Sequence, residues 1–324
     1  MKALVTTGTG PFGLQLAEVP DPTPGPSDVV IAVAAAGVNR GELGLATTLP
    51  AGSRLGWDVA GTVVAGAADG AGPPVGTRVV ALVERVGWAS RVAVPARRLA
   101  VLPAEITDEE AAALPVAGLT ALYGLRTAGW LLGQRILITG AGGGVGRLAV
   151  QLAAYGGGDP IALVGAAARG QGLADLGAVQ VATYTDAQTA AEAGSAGGAG
   201  GAGEPWAPVD VVLDSAGGTV LATALQLLAP GGVAVSIGNS SRAPLTVPFD
   251  WGYRRPGARH HYLHLFDEAN RRDVGADLAL LARLAAAKRL DAQVAVTRSW
   301  RDPEPALRAL AERTVNGKVV FRID

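Results

Sequence analysis

A glycine-rich turn at residues 140–146 carries the clearest chemical signal in this 324-residue sequence. It reads GAGGGVG, follows the apolar run RILIT and precedes RLAVQLA, which favours a helix. The first glycine permits a tight turn, the middle one lets a pyrophosphate approach the backbone, and the last lets the helix pack closely on the strand. The helix N-terminus then offers free N–H groups and a positive dipole to phosphate. We therefore predict a dinucleotide site, whose residues are Gly140, Gly143, Gly144, Val145 and Gly146.

The residues after the next apolar run, PIALVG, bear on which nicotinamide dinucleotide is bound. A carboxylate at the tip of that strand would accept the ribose hydroxyls and favour NAD. The sequence instead reads GAAAR from Gly165 to Arg169, and the first acid is Asp175. A guanidinium can form a bidentate pair with phosphate, so Arg169 favours the 2′-phosphate of NADPH. The alternative is that Arg169 is a solvated residue at the start of a helix.

The elements that must position this loop alternate between strand and helix from residue 134 onward. Short apolar runs, Gly-containing turns and helical segments repeat at a spacing that predicts an α/β fold, a doubly wound parallel sheet of the Rossmann type. Residues 2–115 are mostly β instead, with short apolar runs between Pro and Gly turns. Residues 187–206 are rich in Ala and Gly, which predicts a flexible surface insertion.

Composition excludes several functional classes. The chain has no cysteine, which rules out disulfides, thiolate nucleophiles and Cys-based zinc sites. A formal net charge of −1 gives no basic excess for nucleic acid. The longest uncharged stretch, residues 215–241, is broken by glycine and proline, so we expect no transmembrane segment and no membrane partner. The absence of cysteine and of a signal-peptide pattern leads us to expect a cytoplasmic protein.

These features occur within a longer run of motifs that resembles the quinone oxidoreductase branch of the medium-chain dehydrogenase/reductases. The matching pieces include AAGVNRGEL, RLGWDVAGTV, EEAAALPVAGLTAL, ITGAGGGVG, VDVVLDSAGG and GKVVFRI, in the family's order over nearly the whole chain. The resemblance implies a β-rich, GroES-like catalytic domain at residues 1–117 plus 256–324. It also implies a Rossmann NADPH-binding domain at 118–255 and a homodimer.

The resemblance also bears on zinc. The zinc alcohol dehydrogenases of this superfamily hold Cys, His and Cys in three slots that correspond here to Asn39, Trp57 and Val116. A carboxamide, an indole and an isopropyl group do not form a Zn²⁺ site. Without zinc, the oxyanion that forms on a reduced carbonyl needs hydrogen-bond donors. Asn39, in a former metal slot, is the candidate donor and the predicted catalytic residue; the alternative is a structural amide that fixes a turn.

Further cofactor contacts follow from the resemblance alone. Thr120 matches a residue that lies against the nicotinamide, and Gly238 matches the loop that passes the carboxamide. Arg169 and Tyr184 fall where relatives place a Lys and a Tyr around the 2′-phosphate. The alternatives are a helix residue for Thr120 and a strand-end aromatic residue for Tyr184.

Two charged residues follow Asn39 closely. Arg40 stands in a slot that can touch the pyrophosphate, and Glu42 stands where the family often has Asp, which leaves its role open. The alternative for this pair is a surface ion pair.

The remaining candidates concern the substrate. Trp57 and Trp88 are predicted to line an apolar pocket, because large apolar walls suit a quinone or a polycyclic enone, although they suit a core as well. Proton donors remain open, and the candidates are Tyr123, Tyr253, Tyr262, His260, His261 and His264.

Three functions are compatible with this sequence, because a fold alone does not define a reaction. The favoured one is a zinc-independent NADPH-dependent reductase of a small-molecule quinone or α,β-unsaturated carbonyl compound. The second is an enoyl-thioester or biosynthetic tailoring reductase, for which the basic segment 254–259 would help a carrier-bound substrate dock. The third is an NADPH-binding protein with a redox-neutral or non-catalytic role.

Overall fold

The computed structural model describes residues 1–10, 12–195 and 206–324. These residues divide into two compact units. Unit 1 combines Met1–Leu119 with Arg271–Asp324, and unit 2 is the continuous segment Thr120–Asn270.

Strands form the main sheet of unit 1 and the centre of unit 2. In chain order, the strands of the described residues are β1 (Lys2–Thr6), β2 (Leu14–Glu18), β3 (Asp28–Val38), β4 (Asp58–Ala65), β5 (Arg78–Leu82), β6 (Arg91–Pro95), β7 (Leu99–Val101), β8 (Arg135–Thr139), β9 (Asp159–Val164), β10 (Gln180–Thr183), β11 (Val209–Asp214), β12 (Leu228–Ser236), β13 (Arg259–Tyr262), β14 (Val294–Ser299) and β15 (Lys318–Arg322).

Helices connect most of these strands. In the same order and for the same residues they are α1 (Arg40–Thr48), α2 (Asp108–Ala112), α3 (Pro115–Ala128), α4 (Gly144–Tyr155), α5 (Tyr184–Ser195), α6 (Gly218–Leu227), α7 (Trp251–Arg254), α8 (Leu265–Arg271), α9 (Val274–Ala286) and α10 (Glu304–Ala311). In the described part of the chain, no helix is both long enough and apolar enough to cross a membrane.

Unit 1 is organised around a seven-stranded sheet. Six of its strands follow the order β14-β15-β3-β4-β5-β7, and β6 pairs with β3. Buried and partly exposed residues alternate along the first part of β3, the pattern of a strand with one face in the core. The last strand of the chain, β15, lies inside this sheet between β14 and β3. Both ends of the chain therefore contribute to one core.

Unit 2 is organised around a six-stranded sheet in which every pair of neighbouring strands is parallel. The strand order is β10-β9-β8-β11-β12-β13. Counted from β8, this is the 3-2-1-4-5-6 order of the doubly wound dinucleotide-binding fold. The predicted Rossmann sheet is confirmed. The order reverses between β8 and β11, so the carboxyl ends of these two strands form the crevice where such sheets bind ligands.

Two predicted boundaries differ from the structure. Residues 256–270 belong to unit 2 rather than to the β-rich unit, because β13 extends the parallel sheet by pairing with β12. Residues 187–195 are not a flexible insertion, because they continue α5 and bury Ala187 and Ala191 in the core of unit 2. The rest of the predicted insertion, up to residue 205, lies outside the described residues.

Candidate functional site

The glycine loop lies between β8 and α4 at the carboxyl edge of the parallel sheet. Gly140 has φ +63°, a conformation that side chains disfavour. A Cβ on Gly146 would lie 2.5 Å from both the Gly140 carbonyl oxygen and the Ala141 Cα. A Cβ on Gly143 would meet only the Gly140 oxygen, at 3.4 Å. Gly140 and Gly146 therefore allow the turn and the close helix–strand packing, whereas the outer side of Gly143 stays accessible.

Helix α4 presents its N-terminus at this loop. Its N-cap is Gly143, and its first turn contains Gly144, Val145 and Gly146. The N–H groups of a first turn have no acceptor within their own helix, and they carry the positive end of its dipole. This end of α4 can therefore bind a phosphate through backbone N–H groups.

Two predicted side chains lie against the same loop. Arg169 follows β9 in a short 3₁₀ turn, Ala167–Gly170, and its Nη2 lies 3.4 Å from the Gly142 carbonyl oxygen. A Cβ on Gly142 would come within 2.5 Å of the Arg169 carbonyl oxygen, so only glycine lets the two segments approach this closely. The Tyr184 hydroxyl accepts a hydrogen bond of 3.1 Å from the Gly140 N–H. The fold thus brings Arg169 to Gly142 and Tyr184 to Gly140.

A concave region of about 380 Å³ continues from Tyr184 along the groove between α5 and α6, as formed by the described residues. Leu163, at the end of β9, and Thr219, in the first turn of α6, also line it. Tyr184, which contacts the loop, therefore also lines a groove inside unit 2.

The crevice between β8 and β11 contains a group that the sequence analysis did not identify. Asp214 ends β11 and is fully buried. Its carboxylate accepts a 2.5 Å hydrogen bond from the Thr139 hydroxyl and a 3.0 Å bond from the Gly217 N–H. Burial raises the pKa of the Asp214 carboxyl, and the Thr139 hydroxyl bond opposes that rise. Asp214 thereby fixes the loop after β11; the signal in the sequence was an acid directly after an apolar strand, in VLDSAG.

Thr120 and Gly238 also lie in unit 2. Thr120 is buried in α3, at 6% exposure. Gly238 is exposed in the loop after β12, and a Cβ on it would lie 3.5 Å from the Ser215 carbonyl oxygen. Two residues later, the Ser240 N–H donates to that same oxygen at 3.1 Å. The loop of Gly238 is therefore attached to the loop that Asp214 fixes.

In unit 1, the former zinc slots contain a network of polar groups that are buried except for the partly exposed Asn39. The Asn39 Nδ2 donates to Asp58 Oδ2 at 2.9 Å and to Glu42 Oε2 at 3.2 Å. The Lys318 Nζ donates to Asn39 Oδ1 at 2.7 Å and to Asp58 Oδ2 at 3.2 Å. The other Asp58 oxygen accepts from the Val116 N–H at 2.8 Å. Asp58 thus connects the Asn39 slot with the Val116 slot directly. We call Asn39, Glu42, Asp58 and Lys318 the polar tetrad.

The tetrad constrains what Asn39 can do. Asn39 also caps α1, where its own N–H donates to Glu42 Oε2 at 2.7 Å. Both hydrogens of its amide are used within the tetrad, and its carbonyl oxygen accepts from Lys318. To donate to a substrate oxygen, the amide would have to give up its bond to Glu42 or to Asp58. These contacts support the alternative in which Asn39 is a structural amide that fixes a turn. The role of Asn39 as a hydrogen-bond donor to the substrate stays a prediction.

Glu42 is the unusual member of the tetrad. It is fully buried, and among the described residues its Oε1 has no hydrogen-bond partner. Burial first, and then repulsion from Asp58, raise the pKa of Glu42 from 4.5 to about 8. The surface ion pair with Arg40 does not form, because Glu42 faces the core, and Arg40 instead donates to the Leu310 carbonyl oxygen at 3.0 Å. This raised pKa favours the protonated form of Glu42 at neutral pH.

The donor set of the former zinc slots does not suit a zinc ion. Asn39 and Lys318 bind Asp58, Trp57 offers only an indole, and Val116 offers only its backbone N–H. Across the described residues, no three His, Asp or Glu side chains form a group that would hold a metal ion. We therefore derive no chemical step through zinc.

The two predicted pocket tryptophans have different environments. Trp57 is partly exposed, and its ring packs so closely on α1 that a Cβ on Gly41 would lie 2.7 Å from it. Trp88 is only 1% exposed; its indole N–H donates to the Gly37 carbonyl oxygen at 3.1 Å, and its ring contacts Phe321 edge-on. Trp88 is therefore a core residue of unit 1 and not a wall of a substrate pocket.

The candidate proton donors are scattered through unit 2. Tyr123 is fully buried in α3, whereas Tyr253 and Tyr262 are strongly exposed. His260 lies 2.8 Å from the Ser236 hydroxyl, and burial lowers the pKa of its imidazole. His264 lies 3.6 Å from Asp267 on the surface.

Two family models match the chain. The alcohol dehydrogenase GroES-like domain matches residues 25–104, and the zinc-binding dehydrogenase model matches residues 176–321. The first match falls entirely within unit 1, and the second extends from unit 2 into the last part of unit 1.

Relatives of known sequence include much longer proteins. A mycocerosic acid synthase-like polyketide synthase from Mycobacterium tuberculosis is 33% identical over 221 residues, which cover 66% of this chain and 10% of that protein. The synaptic vesicle membrane protein VAT-1 homolog from Rattus norvegicus is 32% identical over 247 residues, 74% of this chain and 59% of that protein. The chain therefore spans about a tenth of the first of these relatives.

Among solved structures, Escherichia coli quinone oxidoreductase complexed with NADPH aligns over the full length of both chains. The TM-score is 0.86, and 27% of the residues are identical. This solved structure therefore covers the residues of both units.

Proposed function

The chain belongs to the medium-chain dehydrogenase/reductase superfamily, and we propose that it is an NADPH-dependent, zinc-independent reductase that transfers a hydride to a quinone or an α,β-unsaturated carbonyl compound. The observation that carries this proposal is the position of Arg169 beside the glycine loop, in a turn without a carboxylate. Residues 165–168 between the end of β9 and Arg169 are Gly and Ala, so the usual acceptor for the ribose hydroxyls of NAD is missing.

The residues of unit 2 fit NADPH in three places. The first turn of α4 offers N–H groups to the pyrophosphate above Gly143, which leaves room for a close approach. The Arg169 guanidinium would pair with the 2′-phosphate, and the Tyr184 hydroxyl, held by the Gly140 N–H, would donate its own hydrogen to that phosphate. Thr120 and Gly238 are the proposed contacts of the nicotinamide.

NADPH, when bound, supplies the hydride. The chain must then stabilise negative charge on the substrate oxygen and provide a proton. Asn39 is the proposed donor to that oxygen, provided that one of its two amide hydrogen bonds opens. Trp57 is partly exposed and is the proposed apolar wall of the substrate pocket.

Enoyl-thioester reduction is a second candidate, and the similarity to polyketide synthases favours it. A carrier-bound substrate would use the basic segment 254–259. Within this segment, Arg254 already pairs with Asp250 at 2.6 Å, whereas Arg259 is exposed. Arg259→Ala should therefore raise KM for a thioester and leave KM for a free enone unchanged.

The first experiment compares NADPH with NADH oxidation across a benzoquinone, a naphthoquinone, a free enone and an enoyl-thioester. Fast oxidation of NADPH by one substrate class, with NADH much slower, is the expected result and selects between the two candidates. Tight NADPH binding without turnover of any substrate would contradict both reductase proposals. Failure to bind either nucleotide would contradict the assignment of the glycine loop.

A further inference from the structure

Arg147 occupies a position where an arginine is unfavourable. It lies in the first part of α4, only three residues after the helix begins, and it is 7% exposed. A cation near a helix N-terminus is repelled by the helix dipole, and burial of its charge adds a desolvation penalty. Contacts of its side chain must compensate for both effects.

The side chain of Arg147 reaches the turn that contains Arg169. Its Nη1 donates to the Gln171 carbonyl oxygen at 3.1 Å. Its Nη2 would lie 3.1 Å from a Cβ on Gly172, whose φ is +76°. Gly172 thus lets the backbone pass directly beside the guanidinium. Arg147 is therefore packed against the residues that immediately follow Arg169.

The same turn is attached to the glycine loop from its other side. The Arg169 guanidinium donates to the Gly142 carbonyl oxygen, and the absent side chain of Gly142 lets the Arg169 backbone approach. Residues 169–172 are thus held between the loop and the first turns of α4. The 3.1 Å bond from Arg147 to Gln171 is shorter than the 3.4 Å contact of Arg169 with Gly142.

We propose that Arg147 is a positioning residue for cofactor selection: it holds the turn of Arg169 against the glycine loop, so that the Arg169 guanidinium is set for the 2′-phosphate of NADPH. This inference rests on the proposed use of NADPH and assigns the selectivity to a pair of arginines. A preorganised guanidinium binds phosphate more tightly than one that must be ordered on binding, because the ordering entropy is not lost at that step. NADH lacks the 2′-phosphate, so its binding should not depend on either arginine.

The test measures the Kd of NADPH and of NADH for the full chain carrying Arg147→Met, Arg169→Met or both. Arg169→Met should weaken NADPH binding by a factor on the order of 10 to 100, as expected for a lost charge-assisted hydrogen bond, and leave NADH binding within about twofold. Arg147→Met should weaken NADPH binding by roughly three- to tenfold, with NADH again unchanged. In the Arg169→Met background, Arg147→Met should have no further effect, because the group that it positions is gone.

Arg126→Met is the matched control, since Arg126 is an exposed arginine of α3 in the same unit. Its two Kd values should equal those of the wild type. Arg147→Lys retains one donor and the charge, so it should recover part of the NADPH affinity, and it replaces Arg147→Met if that variant does not fold.

Four outcomes would overturn the inference. Equal weakening of NADPH and NADH by Arg147→Met would mean that Arg147 only stabilises α4. Wild-type Kd values in both Arg147 variants would mean that the turn needs no such support. An additive loss in the double variant would mean that the two arginines act independently. If Arg169→Met itself left the NADPH preference intact, the proposed 2′-phosphate contact would fail first, and this inference would fall with it.

Discussion

At the residue scale, the surroundings of Glu42 raise the pKa of its carboxyl well above the ordinary value. Its carboxyl lies beside the Asp58 carboxylate, and the nearby Lys318 ammonium donates hydrogen bonds to Asp58 and Asn39. Burial first, and then repulsion from Asp58, disfavour the charged form of Glu42 and raise its pKa to about 8. Glu42 is therefore the member of the tetrad whose protonation should change between pH 4.5 and about 8.

Stability should consequently fall with rising pH because of Glu42. Its pKa is about 8 in the folded chain against 4.5 as a model value, so the folded state binds more protons than the unfolded state between these two values. The contribution of Glu42 is fully present below pH 4.5 and is lost as the pH rises towards 8. It amounts to several kcal/mol, at most about 5 kcal/mol. Denaturant unfolding of the wild type and of Glu42→Gln, measured from pH 5 to pH 8.5, checks this.

Glu42→Gln keeps the shape of the neutral acid and should flatten this part of the pH dependence. Glu105→Gln, at an exposed site, should retain the slope of the wild type. Parallel pH profiles for the wild type and Glu42→Gln would show that Glu42 does not titrate in this range.

Lys318→Met should destabilise unit 1 by about 3–5 kcal/mol, because it leaves the Asp58 carboxylate buried without its cation. Adding Asp58→Asn should recover part of that loss, since the uncompensated charge is then removed. The free energies of unfolding of both variants and of Asp58→Asn alone form the required cycle. If the double variant is no more stable than Lys318→Met, the ion pair is not the source of the effect.

At the scale of elements, the turn between β8 and α4 contains two glycines that lack a side chain for different structural reasons. Gly146 faces backbone atoms at 2.5 Å, whereas Gly143 has only one contact at 3.4 Å. The first is a packing requirement and the second leaves room for a ligand. Substitution by alanine separates these two reasons.

Gly146→Ala should force α4 away from β8, destabilise the chain by about 1–3 kcal/mol and weaken NADPH binding as well. Gly143→Ala should leave the melting temperature close to that of the wild type, because its φ of −87° suits alanine. It should nevertheless weaken NADPH binding, because its methyl group occupies space that a pyrophosphate needs. Thermal unfolding and the Kd of NADPH distinguish the two; a Gly143→Ala variant with full affinity would remove Gly143 from the proposed site.

At the scale of the whole molecule, chain order and spatial order differ between the two units. Unit 2 is continuous, whereas unit 1 closes its sheet with β15, which lies between β14 and β3 although it is the last strand in sequence. Lys318 is also the first residue of β15, so the tetrad cannot form before this strand is in place. The predicted homodimer and cytoplasmic location concern this scale too, and they stay predictions.

Deletion of residues 318–324 should therefore disrupt unit 1 and leave the parallel sheet of unit 2 formed. Amide hydrogen exchange should show lost protection in β3 and β4 and retained protection in β8 and β11. Arg322→Ala in the full-length chain is the control, because Arg322 is exposed and its replacement keeps the strand. Equal loss of protection in both units would show that they do not fold separately.

The sequence by itself determined the parts of this protein that depend on neighbouring residues. The glycine loop, the strand before it and the helix after it lie within about twenty positions, and the alternation of strands and helices predicts a parallel sheet by local periodicity. The missing carboxylate after β9 and the nearby Arg169 are also local features. These predictions needed no knowledge of distant contacts.

Only the tertiary structure decided what the isolated polar and aromatic residues do. Lys318 bonds to Asn39 across 279 positions of sequence, and no periodicity relates these two residues. Trp88 became a core residue because Phe321, from the other end of the chain, packs against it. In the sequence, Arg147 is only one residue of a predicted helix; its hydrogen bond to the Gln171 carbonyl oxygen exists only in the folded chain. Such roles depend on burial and on partners far away in sequence, and these exist only once the sheets have assembled.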